Sequence, residues 1–426
     1  MSELVIKTVS GLVEGALSKD SKCRIFRGVP YAEPPVGELR FRRPVAKKPW
    51  FGVKTTKSIP PKCYQADATK GDFYPKEFYS GEIPPLSEDS LYLNIWTPAA
   101  IGDEKLPVLM WIHGGAYMHG SGSEVEFDGE GFAKKGVILV TINYRVGALG
   151  FFTHPELEKE NEEGISGNYG FWDQIFALKW IYENIENFGG DKNKITVAGQ
   201  SAGCMSTQTL ISTEETKGLI AGAVLQSGGG VPGLARDYSK VRQTEVSLKL
   251  MEILGVSTID ELRQLSPESI CNAGYAVNEH FGDLCWMPNV DGYLLKDTVA
   301  NLAIDGKIHD IPYIIGSTKN DIGVSDKGDL LVESAIKFAL VRNEQSDKKV
   351  WLYHFDRDLP GDNAGAFHSC ELWYEFETMQ RCWRPFEEHD YEISRELSTQ
   401  WADFVKQGDP GWKNYTAEEP YVKIYK

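Results

Sequence analysis

Residues 195–210 read Ile195-Thr-Val-Ala-Gly-Gln-Ser-Ala-Gly-Cys-Met-Ser-Thr-Gln-Thr-Leu210, and this stretch decides the fold. Ile195-Thr-Val-Ala198 is a short apolar run with β-branched residues, the mark of a strand buried on both faces. Gly199-Gln-Ser-Ala-Gly203 follows without a spacer, and Cys204 to Leu210 then reads as helix. A turn this tight holds Ser201 in a strained conformation, with glycine at 199 and 203 where neighbouring backbone passes close. The serine hydroxyl then lies at the carboxyl end of a sheet and at the start of a helix, whose dipole favours developing negative charge. Ser201 is the candidate nucleophile, and this is the only Gly-x-Ser-x-Gly in the chain.

Outward from this elbow the same pattern repeats. Val108–Ile112, Val137–Ile142, Ala223–Gln226, Pro312–Ile315 and Val350–Phe355 are strand-sized and mostly continuous in apolar residues. Between the second of these and Ile195, the stretch Trp172–Phe188 carries Ile175, Leu178, Ile181 or Tyr182, Ile185 and Phe188 at three- and four-residue steps, which predicts a helix. Gly189-Gly190 ends it. Strand, helix, strand in order predicts right-handed βαβ units and an α/β fold. The first hundred residues differ: Gly28-Val-Pro30, Glu33-Pro-Pro35, Ile59-Pro-Pro61 and Ile83-Pro-Pro85 predict an antiparallel edge with long surface loops. From about 229 to 307 the chain is helical and loop-rich, with Asp237–Leu254 as its clearest helix. We expect a cap there, inserted into a single domain spanning 1–426.

Bulk properties exclude several classes. The 426 residues carry 45 Lys+Arg against 61 Asp+Glu, a net charge of −16 that argues against nucleic acid as a partner. No apolar run approaches the roughly 18 residues of a membrane span, and we expect no signal peptide. Seven scattered cysteines without a Cys-x-x-Cys pair suggest neither a disulfide framework nor a zinc site; a reducing, cytoplasmic setting is expected. Nothing fixes an oligomeric state.

A serine nucleophile needs a base, an orienting acid and donors for the oxyanion. Val108–Ile112 runs into His113-Gly-Gly-Ala116, and glycine there lets the N–H groups of Gly115 and Ala116 join that of Ala202 in an oxyanion hole. His113 itself is expected to pack under the loop. Of the eight histidines, His368 is the preferred base: it lies in the loop Gly361–His368 after a strand, whereas His354 is inside a strand and His389 sits in the acidic Phe386-Glu-Glu-His-Asp390. Asp321 follows a strand end in Gly316–Gly323 and is the preferred acid, with Asp362 as an alternative; Asp291 is suited to a tight turn, and Asp326 and Asp329 read as surface charge. Phe171-Trp172 and Trp373-Tyr374 lie near these motifs and are candidates for the pocket wall or for the core.

Further motifs carry a resemblance. Phe26-Arg-Gly-Val-Pro-Tyr-Ala32, Ser87-Glu-Asp-Ser-Leu-Tyr-Leu-Asn-Ile-Trp96, Gly167-Asn-Tyr-Gly-Phe-Trp-Asp-Gln174, Phe188-Gly-Gly-Asp191 and Gly365-Ala-Phe-His368 resemble, in order, the signatures of the type-B carboxylesterases, the family of cholinesterases and bacterial para-nitrobenzyl esterases. The resemblance spans about 5–411. It implies an α/β-hydrolase fold and a small-molecule ester substrate hydrolysed without cofactor or metal. It implies nucleophile, acid and base at Ser201, Asp321 and His368, with oxyanion donors Gly115, Ala116 and Ala202. The chain departs from the family in three places. The acid is Asp where Glu is usual, one methylene shorter. Ser90 stands where secreted relatives have Cys, which removes the disulfide partner of Cys63. Only 47 positions separate Asp321 from His368, fewer than in relatives, so a more open pocket is expected. A non-catalytic binding module on the same fold, or a lipase, amidase or carbamate hydrolase, are the competing expectations; fluorophosphonate labelling and substrate profiling separate them.

Overall fold

In the computed structural model, which describes residues 3–67, 70–71, 73–99, 105–234 and 239–426, ten strands join in one sheet. In chain order they are β1 (Ala16–Leu17), β2 (Cys23–Pro30), β3 (Tyr92–Pro98), β4 (Leu106–Ile112), β5 (Ile138–Ile142), β6 (Gly190–Gln200), β7 (Gly222–Gln226), β8 (Tyr313–Thr318), β9 (Val350–Phe355) and β10 (Val422–Tyr425). Across the sheet they run β10-β9-β8-β7-β6-β4-β5-β3-β2-β1. Every pairing from β5 to β10 is parallel, and β3, β2 and β1 add antiparallel strands at the other edge. The α/β fold and its antiparallel N-terminal edge are as expected from the sequence, and the fold is that of an α/β hydrolase.

The continuous apolar runs follow from burial on two faces. Along β4, Val108, Met110 and Ile112 belong to one hydrophobic core and Leu109 and Trp111 to the other, on the opposite face of the sheet. Alternate residues enter different cores, so none is left to be polar. The helix between β5 and β6 runs from Tyr169 to Asn184 and tightens to a 3₁₀ turn over Ile185–Phe188. Gly189 stops it in the left-handed region, donating its N–H to Ile185 and Glu186. The helix after β7 spans Lys240–Leu254, with the Ser239 side chain capping Arg242 N–H. Its expected start at Asp237 lies outside the described residues. Ile259–Gln264, Pro267–Phe281 and Val299–Ile304 complete the helices of the 229–307 stretch.

β4, β6, β8 and β9 all end on the same side of the sheet. The loops that leave them carry His113–Gly120, Ser201, Asp321 and His368. In parallel sheets this edge is where ligand sites are built.

Candidate active site

Ser201 sits between β6 and the helix Ala202–Leu210 with φ 59° and ψ −124°, a left-handed conformation costly for any residue but glycine. The turn is held from both sides. Its N–H donates to the carbonyl of Gln226 at 2.9 Å, and its carbonyl accepts from Met205 N–H at 3.1 Å. The flanking glycines are steric requirements. A Cβ on Gly203 would fall on the carbonyl oxygens of Ile112 and His113, and one on Gly199 would fall on the backbone of Gly203. The elbow is thus jammed against the end of β4, the strand that delivers the Gly-Gly-Ala loop.

In that loop Gly115, Ala116 and Tyr117 are successive left-handed residues, with φ of 95°, 54° and 60°. The turn closes through the Gly115 carbonyl, which accepts from Met118 and His119 N–H. Gly114, Gly115 and Ala116 line the same cavity as Ser201. His113 packs beneath: its Nδ1 lies 2.8 Å from the Gly114 carbonyl and its ring stacks on Tyr144 at 4.3 Å. Burial lowers its pKa to about 3, so the ring is neutral.

His368 Nδ1 lies 2.5 Å from Asp321 Oδ1. Two more contacts fix the carboxylate: Ile322 N–H donates to Oδ1 and Thr318 N–H to Oδ2, and the side chain is fully buried. Burial alone would raise the Asp321 pKa, but the hydrogen bond and charge of His368 outweigh it, and the pKa is lowered. The one-methylene-shorter acid reaches because its loop is stapled to the histidine loop. Asn320 N–H donates to the Ala366 carbonyl at 3.0 Å, and Ala366 N–H donates back to Asn320 Oδ1 at 2.9 Å. Gln200 Nε2 stands 3.2 Å from His368 Nε2 and 3.4 Å from Nδ1. Such near-equal distances place the amide over the ring face, which leaves the in-plane lone pair of Nε2 directed elsewhere.

Asp362 is held apart by Arg384 at 2.8 Å. Asp291 caps its turn, accepting from Tyr293 and Leu295 N–H, and Asp329 caps the helix Leu330–Gln345 instead of standing as free surface charge. His389 is exposed beside the Lys426 carbonyl.

The cavity over Ser201 measures about 520 Å³. Its aromatic wall comprises Phe73, Tyr74, Phe78, Tyr79, Phe127 and Tyr275, with Ile322 and Leu372 beside them. Phe171, Trp172, Trp373 and Tyr374 do not line it; they are buried in the core, and Trp373 stacks behind Phe78 at 5.5 Å. The segment Phe73-Tyr-Pro-Lys-Glu-Phe-Tyr79 was hidden by its proline-rich surroundings. Its signal was the density of aromatics in a stretch otherwise read as surface loop.

Behind the site, Glu371 and Glu375 are wholly buried. Burial pushes Glu375 up to about 8 and Glu371 well above the usual carboxyl range. Glu375 Oε2 accepts from Gln226 Nε2 at 2.8 Å, on the residue whose carbonyl holds Ser201 N–H. Among the described residues there is no His/Cys/Asp/Glu group suited to a metal, and no helix long and apolar enough to cross a membrane.

The carboxylesterase family profile matches residues 2–330 and 326–425. The chain is 29% identical to the para-nitrobenzyl esterase of Bacillus subtilis, over 98% of this chain and 94% of that protein. It is 33% identical to the fumonisin B1 esterase of Sphingopyxis macrogoltabida over 86% of its own length, which is 63% of the relative's. A solved PNB esterase superposes with a TM-score of 0.87 at 28% identity, covering 100% of this chain and 96% of the other. The Geobacillus stearothermophilus carboxylesterase EST55 does so at 0.83 and 28%, covering 99% and 96%.

Proposed function

Since the chain belongs to the carboxylesterase family, we propose that it hydrolyses small carboxylic esters with Ser201 as nucleophile, His368 as base and Asp321 as the orienting acid. One observation carries this reading: a histidine bonded at Nδ1 to a buried carboxylate shares a cavity with a serine on a strained elbow. Asp321 fixes the tautomer, so Nε2 is free to take the Ser201 proton as the hydroxyl attacks the ester carbonyl. The oxyanion is held by the N–H groups of Gly115, Ala116 and Ala202, each worth on the order of 100- to 1000-fold in rate. His368 returns the proton to the departing alcohol, then activates the water that hydrolyses the acyl-enzyme. The aromatic cavity supports aryl or alkyl esters of modest size.

We read the chain as one domain in which 229–307 caps the sheet; the helix Pro267–Phe281 brings Tyr275 to the cavity, which supports that role. The setting we read as cytoplasmic, on seven cysteines none of which is disulfide-bonded.

Ser201→Ala tests the mechanism. Hydrolysis of p-nitrophenyl butyrate and labelling by a fluorophosphonate should both vanish while cooperative thermal unfolding persists. Activity within tenfold of wild type would refute the assignment.

A further inference from the structure

The oxyanion loop adopts a backbone conformation that its own residues disfavour. Ala116 and Tyr117 each carry a Cβ in the left-handed region, and the Ala116 N–H belongs to the peptide between Gly115 and Ala116, both left-handed. Relaxing either residue would rotate that peptide and turn its N–H away from Ser201. Within the loop, Met118 and His119 N–H close a turn on the Gly115 carbonyl. A conformation of this kind persists where the surrounding structure over-determines it.

Two side chains grip the backbone at the far end of the loop. Gln65 is buried at 3% exposure and lies along Gly120: Gly120 N–H donates to Gln65 Oε1 at 2.9 Å, and Gln65 Nε2 donates to the Gly120 carbonyl at 3.0 Å. The side chain thereby satisfies Gly120 as a neighbouring strand would. The same Nε2 donates to the Cys63 carbonyl at 3.1 Å, which fixes the orientation of the amide itself. Gly120 in turn lies directly against the start of the loop. A Cβ there would fall 2.3 Å from His113 Nδ1 and 2.9 Å from the Gly114 carbonyl oxygen. Tyr275 holds Met118: its hydroxyl donates to the Met118 carbonyl at 3.3 Å and accepts from Ala66 N–H at 2.9 Å. One hydroxyl thus joins the helix Pro267–Phe281, the segment Cys63–Ala66 and the oxyanion loop.

We propose that Gln65 and Tyr275 are positioning residues for the oxyanion hole, an assignment that rests on the esterase reading above. They act through Gly120 and Met118 on the direction of the Gly115 and Ala116 N–H groups. Without the Gln65 amide, the N–H and carbonyl of Gly120 lose their partner in a buried place, and the loop must shift to find another. Gln65 stands behind the loop, apart from the residues that line the cavity, so its effect on the reaction passes through the loop and not through the substrate.

The test uses Gln65→Met, which keeps the side-chain length and removes both bonds to Gly120, and Tyr275→Phe, which removes only the hydroxyl. The probe of the hole is phenethyl trifluoromethyl ketone. Ser201 Oγ bonds to its carbonyl carbon, the serine proton passes to His368, and the carbonyl π pair becomes an alkoxide held by the loop. Phenethyl methyl carbinol enters the same cavity without forming an oxyanion. Gln65→Met should lower kcat/KM for p-nitrophenyl butyrate by about 10- to 100-fold and raise the ketone Ki by a similar factor, with the carbinol Ki within about threefold of wild type. Tyr275→Phe should move the first two in the same direction by about 3- to 10-fold. A cooperatively unfolding Gln65→Met whose kcat/KM and ketone Ki stay within about threefold of wild type overturns the assignment. So does equal weakening of ketone and carbinol, the mark of a collapsed pocket. Where Gln65→Met does not unfold cooperatively, Tyr275→Phe decides, and values within about twofold of wild type overturn it. Wild type that hydrolyses the ester while the variants are unaffected ends only the positioning role; wild type that neither hydrolyses it nor binds the ketone ends the esterase reading.

Discussion

Glu375 offers a test of how the site is supported, through Glu375→Gln. The carboxyl is fully buried beneath β7 and takes one hydrogen bond, from Gln226 Nε2; its second oxygen has no partner among the described residues. Burial raises its pKa from the ordinary 4.5 to about 8. In the unfolded chain the group ionises near pH 4.5, whereas in the folded protein it keeps its proton until pH about 8. Between those values the native state binds one more proton than the unfolded state, so stability falls as pH rises. The slope is about 1.4 kcal/mol per pH unit, and the whole window is worth about 5 kcal/mol as a ceiling. Glutamine copies the protonated acid: its carbonyl accepts from Gln226 and its amide takes the place of the hydroxyl. The variant therefore lacks that one-proton slope. With an unfolding entropy of about 0.9 kcal/mol/K for a chain of this length, wild type should lose about 3 °C of Tm relative to the variant between pH 5 and 7. Glu124, Glu126 and Glu371 also have raised pKa values, but they remain in both proteins and cancel. Thermal unfolding by circular dichroism at successive pH values supplies the comparison. Parallel Tm–pH curves for the two proteins would refute the claim that Glu375 is buried as the acid.

Other substitutions separate the parts of the site. Asp321→Asn should lower kcat by about 100- to 10,000-fold with little change in KM, because the charge facing the imidazolium is gone, whereas Asp362→Asn should stay near wild type; the reverse order in p-nitrophenyl ester assays would move the acid to Asp362. Gly203→Ala drives a Cβ onto the Ile112 and His113 carbonyls and should lower Tm by about 3 °C or more, read by calorimetry; an unchanged Tm would show that the elbow has room. Glu77→Ala leaves the buried Arg384 without its bidentate partner and should cost about 3 kcal/mol, the low end for a broken buried pair since Asp362 and the Pro360 carbonyl remain. It should also raise KM, since Glu77 belongs to the segment bearing Phe73, Tyr74 and Phe78; denaturant unfolding and steady-state kinetics check the two effects.

What was legible in the sequence was what local physics writes into adjacent residues. The βαβ core was readable because a strand buried on both faces must be apolar throughout, as Val108–Ile112 is, and because Gly189 can end a helix as few other residues can. The elbow was readable because Gly199 and Gly203 are forced by contacts within a few residues of Ser201 and with one neighbouring strand. β6 began five residues before Ile195 since its first part, with Asp191, Lys192 and Lys194, extends past the buried sheet into solvent. β10 left no clear pattern: an edge strand of four residues needs only one partner and one covered face.

The cavity wall was illegible for a different reason. Tyr74–Phe78 is a five-residue helix, too short to hold itself together in water. It exists because Glu77 meets Arg384 and Phe78 stacks on Trp373, contacts that span about three hundred positions of chain. The same arginine binds Asp362 and the Pro360 carbonyl in the loop that ends at His368. One buried guanidinium thus ties the wall of the cavity to the loop that carries the candidate base, while Asn320 ties that loop to the candidate acid. This answers how so short a segment between Asp321 and His368 holds its geometry: the rigidity comes from across the chain rather than from added helices along it. It also makes a shape demand. A substituent that pushes Tyr74–Phe78 outward must strain Arg384, and through Arg384 the His368 loop. Bulky esters should therefore lose kcat as well as binding, which kinetics across a series of acyl lengths would show as a fall in kcat at constant leaving group.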